Sequence, residues 1–387
     1  MGSLRTIYLD YNATTPLDPG VRAAMIPFLD SVFGNPSSVH HVGRQARSLL
    51  DDSRDRVSKL FRCKPSEIVF TSGGTESNNL AVLGTARLLK PKGRHLITSQ
   101  VEHHAVLHPM DYLERKEGFE VTRLGVDSEG RVDPDRLLAA IRPDTVLVSI
   151  QAANNEIGTL QPVAALGALC RQRGVLFHTD AVQWMGKCPV ASIADFNADL
   201  VSVCAHKFHG PKGVGLLYIR SPLLPDPLLL GGAHENERRA GTENLAAIVG
   251  LVHALEQFVP VPVFNPGHLG PLTQELRAAV QSLAPLGVTL RSPASQCLNN
   301  TVAFTVPRAD SMTLMANLDL EGICASSGSA CSAGSLEPSH VIRAIADPGS
   351  LGDGLVRFSL GRETARTEIS WVTERLSSLI ERSQLSE

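Results

Sequence analysis

Apolar and polar positions begin to alternate regularly at Ile68. Ile68-Val69-Phe70-Thr71 reads as a strand, and Ser72 to Asn79 opens a helix running to about Leu89. Short apolar or β-branched runs recur over 95–98, 120–124, 145–150, 175–178 and 200–204. Helical patterns lie between them: one starts near His104, and two cover 133–141 and 163–173. Strand and helix taking turns in this way predict an α/β unit with a largely parallel sheet. Ligands of such sheets sit beyond the carboxyl ends of the strands.

The flanking stretches follow a looser pattern. Residues 7–16 read as a short strand running into a polar turn, and Asp18-Pro19 opens a helix. The breaker cluster Gly34-Asn35-Pro36-Ser37-Ser38 precedes a second helix over about 43–61. A long apolar helix is expected over 240–258, then a proline-rich break over 259–267. Beyond it come a helix over 272–283, a strand over 300–306 and a helix over 311–318. The chain is expected to divide at the break. Residues 16–258 would form a large domain, and 1–15 with 259–387 a smaller α/β one.

Composition narrows the function classes. The 387 residues are 43% hydrophobic, enough for a large core and about two domains. Lys and Arg number 36 against 39 Asp and Glu, so no basic stripe marks a nucleic-acid partner. No apolar run approaches membrane-span length, so no membrane partner is expected. The cysteine count of 7 is odd and no C-x-x-C occurs, which argues against a disulfide framework or a zinc site. Free thiols point to a reducing, cytoplasmic setting.

Chemistry concentrates where runs end. Leu200 to Cys204 leads into Ala205-His206-Lys207-Phe208-His209-Gly210-Pro211-Lys212-Gly213. A strand would deliver Lys207 to a sheet edge, and the Gly-Pro-Lys-Gly turn would send the chain back. Among apolar neighbours a lysine loses hydration, its pKa falls and its free amine becomes a nucleophile. An imine-forming lysine needs that property; a solvated turn lysine is the plain alternative. Gly73-Gly74-Thr75 stands where strand turns into helix, which favours a phosphate, though an ordinary turn looks the same. Asp180 could hold a proton on a cofactor's ring nitrogen, with Gln183 on the same side of the next turn; a capping aspartate is the other reading. His103 could lie over a planar ring or merely start a helix. Neighbouring His103 and His104 point apart on a helix, so they do not read as a metal pair.

These stretches assemble into a resemblance. T-S-G-G-T-E-S-N-N, V-E-H-H, A-N-N-E-I-G, H-T-D-A-V-Q, A-H-K-F-H-G-P-K-G, R-A-G-T-E-N and S-S-G-S-A-C-S-A-G-S-L-E-P-S-H-V occur in this order. Together they closely resemble the cysteine desulfurases, pyridoxal-phosphate enzymes of the class V aminotransferase group. The likeness runs from about Tyr8 to Arg362. It implies the aspartate aminotransferase-like fold (fold type I), with a large mostly parallel mixed sheet domain and a smaller C-terminal α/β domain.

The resemblance also implies roles. Lys207 would carry the pyridoxal 5'-phosphate and later move the substrate's α-proton. Asp180 would pair with the pyridinium nitrogen, keeping the ring an electron sink. His103 would stack on the ring, Gln183 would approach its hydroxyl, and Asn154 would sit beside it near the substrate. Gly74, Thr75 and His206 would contact the phosphate. Thr242 would reach the phosphate of a partner subunit, implying a homodimer. Arg357 would hold the carboxylate of L-cysteine, which its planar fork suits. Cys204 departs from the family, which commonly has a hydroxyl there; a thiol is a weaker donor.

Cys331 would set the reaction apart from transamination. Its neighbours in Ala325 to Ser335 are all small, so a mobile loop over about 325–336 is expected. Its thiolate would take the substrate's sulfur as a persulfide and pass it to a sulfur-acceptor protein, for iron–sulfur cluster, thio-cofactor or transfer-RNA pathways. Rivals are a selenocysteine lyase or a class V aminotransferase of the same fold, and a scaffold protein that has lost catalysis.

Overall fold

The computed structural model describes residues 6–328, 339–346 and 353–384. Its main sheet is made of β2 (Ile68–Thr71), β3 (His95–Ser99), β4 (Glu120–Leu124), β5 (Thr145–Ser149), β6 (Leu176–Asp180), β7 (Leu200–Cys204) and β8 (Gly215–Ile219). A two-residue strand, β1 (Ile7–Tyr8), precedes them. The sheet order is β2-β8-β7-β6-β5-β3-β4. All neighbours run parallel except β8, which is antiparallel to both β2 and β7. Every residue of β3, β5, β7 and β8 is buried, as expected where both faces of a sheet are covered.

One expectation is corrected here. β7 lies inside the sheet, paired on both sides, and not along its edge. Its five residues are wholly buried, so its backbone needs partners on each side. Lys207 therefore emerges at the carboxyl end of an interior strand.

The helices are α1 (Pro19–Leu29), α2 (His41–Phe61), α3 (Gly74–Asn79), α4 (Thr85–Leu89), α5 (His104–Glu117), α6 (Pro134–Ala140) and α7 (Val163–Gln172), then α8 (Leu245–Phe258), α9 (Pro266–Ser282), α10 (Ser311–Leu320), α11 (His340–Ile345) and α12 (Arg366–Ser383). Asp18 caps α1, accepting from the Gly20 and Val21 N–H groups. The helix expected up to Leu89 is interrupted by a π-helical stretch over Leu80–Gly84. α8 begins at Leu245 and not at 240, because Asn244 caps it by accepting from Ala247 N–H. α9 begins at Pro266, inside the proline-rich stretch. Proline fits a helix's first position, and Asn265 caps it.

The remaining strands are β9 (Thr289–Leu290), β10 (Thr301–Val306), β11 (Ile323–Cys324) and β12 (Gly354–Ser359). β12, β10 and β9 form an antiparallel sheet, and β1 pairs with β11. One core packs on the main sheet and includes Val21, Phe177, Phe208 and Leu255. A second gathers Ile7, Leu9 and Tyr11 with Phe264, Phe304, Phe358 and Leu376. Residues 9–15 thus leave the second core and cross the carboxyl ends of β6 and β7: Thr15 N–H donates to His206 O at 3.0 Å. Among the described residues, no helix is long and apolar enough to cross a membrane.

Candidate active site

The strand ends converge on a cavity of about 260 Å³. β2 delivers Gly74, Thr75 and Asn78 through α3; β3 delivers His103; β6 delivers Asp180 and Gln183. β7 continues into a 3₁₀ turn over Ala205–Lys207, so Cys204, His206 and Lys207 line the same wall. Arg357 enters from β12, and Asn12 and Ala13 line the cavity beside Lys207. Asn12 and Ala13 are additions that the motifs did not single out. The polar turn after β1 was their only signal.

Lys207 Nζ donates to the Asn12 and Ala13 carbonyls at 2.8 and 2.7 Å. Burial lowers its pKa to about 8, so the uncharged amine becomes a substantial fraction as pH approaches 8. Asp180 Oδ2 accepts from Asn78 Nδ2 at 2.6 Å, and Oδ1 from Val182 N–H at 2.9 Å. Burial raises its pKa, while those bonds and Lys207 pull the other way. His103 caps α5: its Nδ1 accepts from Ala105 N–H at 3.1 Å. Burial, helped by Lys207, pushes its pKa down to about 4. The neutral ring therefore keeps its proton on Nε2. His206 is likewise pushed down to about 4 by burial and bonds to Thr14 Oγ1 through Nδ1.

Arg357 is 1% exposed. Its Nη1 donates to Asn155 O and Gly328 O at 2.9 and 2.7 Å, and Nη2 to Asp10 Oδ1. Among the described residues its Nε has no hydrogen-bond partner. Cys204 Sγ lies 3.9 Å from Val214 O, a long contact for a weak donor.

Two expected residues stand off the cavity wall. Asn154 is fully buried; its Oδ1 accepts from Glu156 and Ile157 N–H, and Nδ2 donates to Val101 O at 3.0 Å. Both ends of that amide hold the local turn, and its neighbours Ala153 and Asn155 face the cavity instead. Thr242 is exposed and does not line the cavity of its own chain. Cys331 lies outside the described residues.

Residues 7–372 match the family Aminotransferase class-V. The chain belongs to that family. It is 47% identical to a Dictyoglomus turgidum protein named cysteine desulfurase IscS, over 98% of this chain and 95% of that one. It is 42% identical to a Methanosarcina thermophila protein of the same name, over 98% of this chain and 93% of that one. The fold matches a solved structure titled NifS-like protein with a TM-score of 0.89 and 35% identity, covering 98% of this chain and 100% of that one. Another, titled SspA in complex with cysteine, matches with a TM-score of 0.79 and 34% identity, covering 93% of this chain and 100% of that one.

Proposed function

We propose that this cavity binds pyridoxal 5'-phosphate and that the protein acts as a cysteine desulfurase. L-Cysteine is converted to L-alanine and its sulfur is left on Cys331. The observation that carries the reading is the convergence of Lys207, Asp180 and Arg357 on one cavity, in a chain 47% identical to a relative named cysteine desulfurase.

The residues suit the cofactor. Asn78 Oδ1, beside Asp180, is buried with no partner among the described residues, so the wall retains unused polar capacity. A Cβ on Gly74 would stand 2.8 Å from Val182 Cγ2, so the wall is reduced to backbone where a phosphate is expected. Lys207 would carry the cofactor, Asp180 would face its ring nitrogen, and His103 its ring face. Gln183 would face the hydroxyl; Gly74, Thr75, Cys204 and His206 would surround the phosphate. When bound, the cofactor supplies an electron sink for negative charge at the substrate's α-carbon.

This chain's own groups do the rest. Arg357 orients the substrate by its carboxylate. The Lys207 amine moves a proton at the α-carbon. The Cys331 thiolate attacks the substrate sulfur: an S–S bond forms, the Cβ–S bond breaks, and Cβ takes a proton to give alanine. The balance closes with one thiol becoming a persulfide, which a sulfur-acceptor protein then relieves.

Two further parts belong to this reading. Exposed Thr242 would meet the phosphate of a second copy in a homodimer. Residues 16–258 would act as one domain, and 1–15 with 259–387 as a second that carries Arg357 and Cys331.

The test is incubation of the purified protein with L-cysteine. Alanine is quantified, and Cys331 is checked by mass spectrometry for one added sulfur. Cys331→Ser should keep the cofactor's absorbance and lose alanine formation. Alanine undiminished in that variant would remove Cys331 from its role. A strong preference for selenocysteine would favour a lyase instead.

A further inference from the structure

Behind Gln183 lies a second lysine that the chemistry above does not use. Lys187 is 2% exposed. Its Nζ donates to Gln183 Oε1 and to Asn12 Oδ1, and lies 5.0 Å from the centroid of the Phe264 ring. Among the described residues its hydrogen-bond partners are amide oxygens, not a carboxylate. The charged and titratable groups that face it are Lys207, Arg357, Asp10 and the Cys188 thiol. An ammonium buried on amides alone is costly to keep.

What it fixes follows from its chemistry. Burial, with Lys207 adding to it, lowers its pKa well below the ordinary lysine value, and as amine or ammonium Nζ gives one N–H to each of the two amide oxygens. Gln183 is therefore held with Oε1 inward, and its Nε2 turns to Asn12 O at 2.9 Å. That same carbonyl accepts from Lys207 Nζ at 2.8 Å. Asn12 is set in the same way. Its Oδ1 takes Lys187 and Asn300 Nδ2, so its Nδ2 donates to Thr301 Oγ1 at 2.9 Å.

We propose that Lys187 is a positioning residue: by holding Gln183 Oε1 and Asn12 Oδ1, it presents Gln183 to the cavity as an N–H donor beside Lys207. The inference rests on the cavity being the pyridoxal phosphate site. Towards the ring's hydroxyl oxygen, a fixed N–H favours the ionised form, whereas a freely turning amide offers its oxygen part of the time. Lys187 thereby sets the titration of the cofactor bound at Lys207 without touching it.

The readout is the absorbance of the bound cofactor against pH, in the holoenzyme and without substrate. In Lys187→Met the midpoint should rise by roughly half to one pH unit, the size of one amide hydrogen bond. Gln183→Ala should raise it about as far, and the double variant no further, because one acts through the other. Additive shifts would overturn the positioning role, since they would mean that Lys187 acts as a bare charge. An unmoved midpoint in Lys187→Met, beside a normal wild-type titration, would overturn this inference alone. A wild-type protein that takes up no pyridoxal phosphate would overturn the cavity's reading and this inference with it. Should Lys187→Met not fold, Lys187→Gln replaces it in both arms, with a smaller rise in the same direction.

Discussion

Arg357 Nη2 donates to Asp10 Oδ1 at 2.5 Å, tying the middle of β12 to the segment that follows β1. The guanidinium is 2% exposed at its side chain and also holds the Asn155 and Gly328 carbonyls, so its plane is set from several sides. The group proposed to orient the substrate is thus itself oriented before the substrate arrives.

Arg357→Lys keeps the charge and loses the fork. KM for L-cysteine should rise about 10- to 100-fold, with a smaller change in kcat. Initial-rate measurements decide it. A fall in kcat with KM unchanged would reject a carboxylate-holding role.

The depressed pKa of Lys207 has a consequence for cofactor uptake. Burial, with Arg357 adding to it, lowers the amine from 10.5 to about 8. Only the uncharged amine is nucleophilic. The rate at which apoprotein takes up pyridoxal phosphate should therefore climb with pH and level off above about 8. Stopped-flow absorbance across pH 6 to 10 would test it, and a rate still climbing tenfold per unit beyond pH 9 would contradict it.

His178 bridges three strands of the main sheet. Its Nδ1 meets Ser149 Oγ at 2.7 Å and its Nε2 meets Ser202 Oγ at 3.0 Å. Burial pushes its pKa from 6.5 down to about 3. Between those values the unfolded chain binds the proton and the folded one does not, so stability falls as pH drops. Glu102 opposes this: burial raises it to about 8, so its contribution is full below 4.5 and lost as pH rises through 8. The clean measurement is a difference. The stability gap between the natural protein and His178→Asn, from urea curves, should widen by about 2 kcal/mol from pH 5 to pH 7. A constant gap would mean that His178 titrates normally.

Cys204→Ser exchanges a weak donor for a strong one at the cavity wall. If that wall faces the phosphate, pyridoxal phosphate should bind about 3- to 10-fold tighter. Spectrophotometric titration of the apoprotein checks it. Weaker binding would place Cys204 away from the phosphate.

Much of the architecture was legible along the chain. Ile68–Thr71, Glu120–Leu124 and Leu200–Cys204 are strands over the ranges that alternation marked out. So were the strand-end positions of Thr75, His103, Asp180 and Lys207, since ligands gather at such ends. The starts of α8 and α9 depart from the pattern. The long apolar pattern predicts a helix from 240 although Asn244 caps it at Leu245, and the prolines predict a break where Pro266 in fact begins a helix.

Periodicity, caps and turn chemistry act over a few residues, so the sequence by itself determined the elements and which side chains stand at their ends. Contacts across long separations answer to how the two cores pack, and only the tertiary structure decided those. Asn12 and Lys207 are 195 positions apart, and Asp10 and Arg357 are 347 apart. No local pattern records that residues 9–15 cross the strand ends to meet them. The same limit explains Asn154. Of Ala153, Asn154 and Asn155, spacing cannot say which face the cavity; the turn that takes both ends of Asn154's amide does.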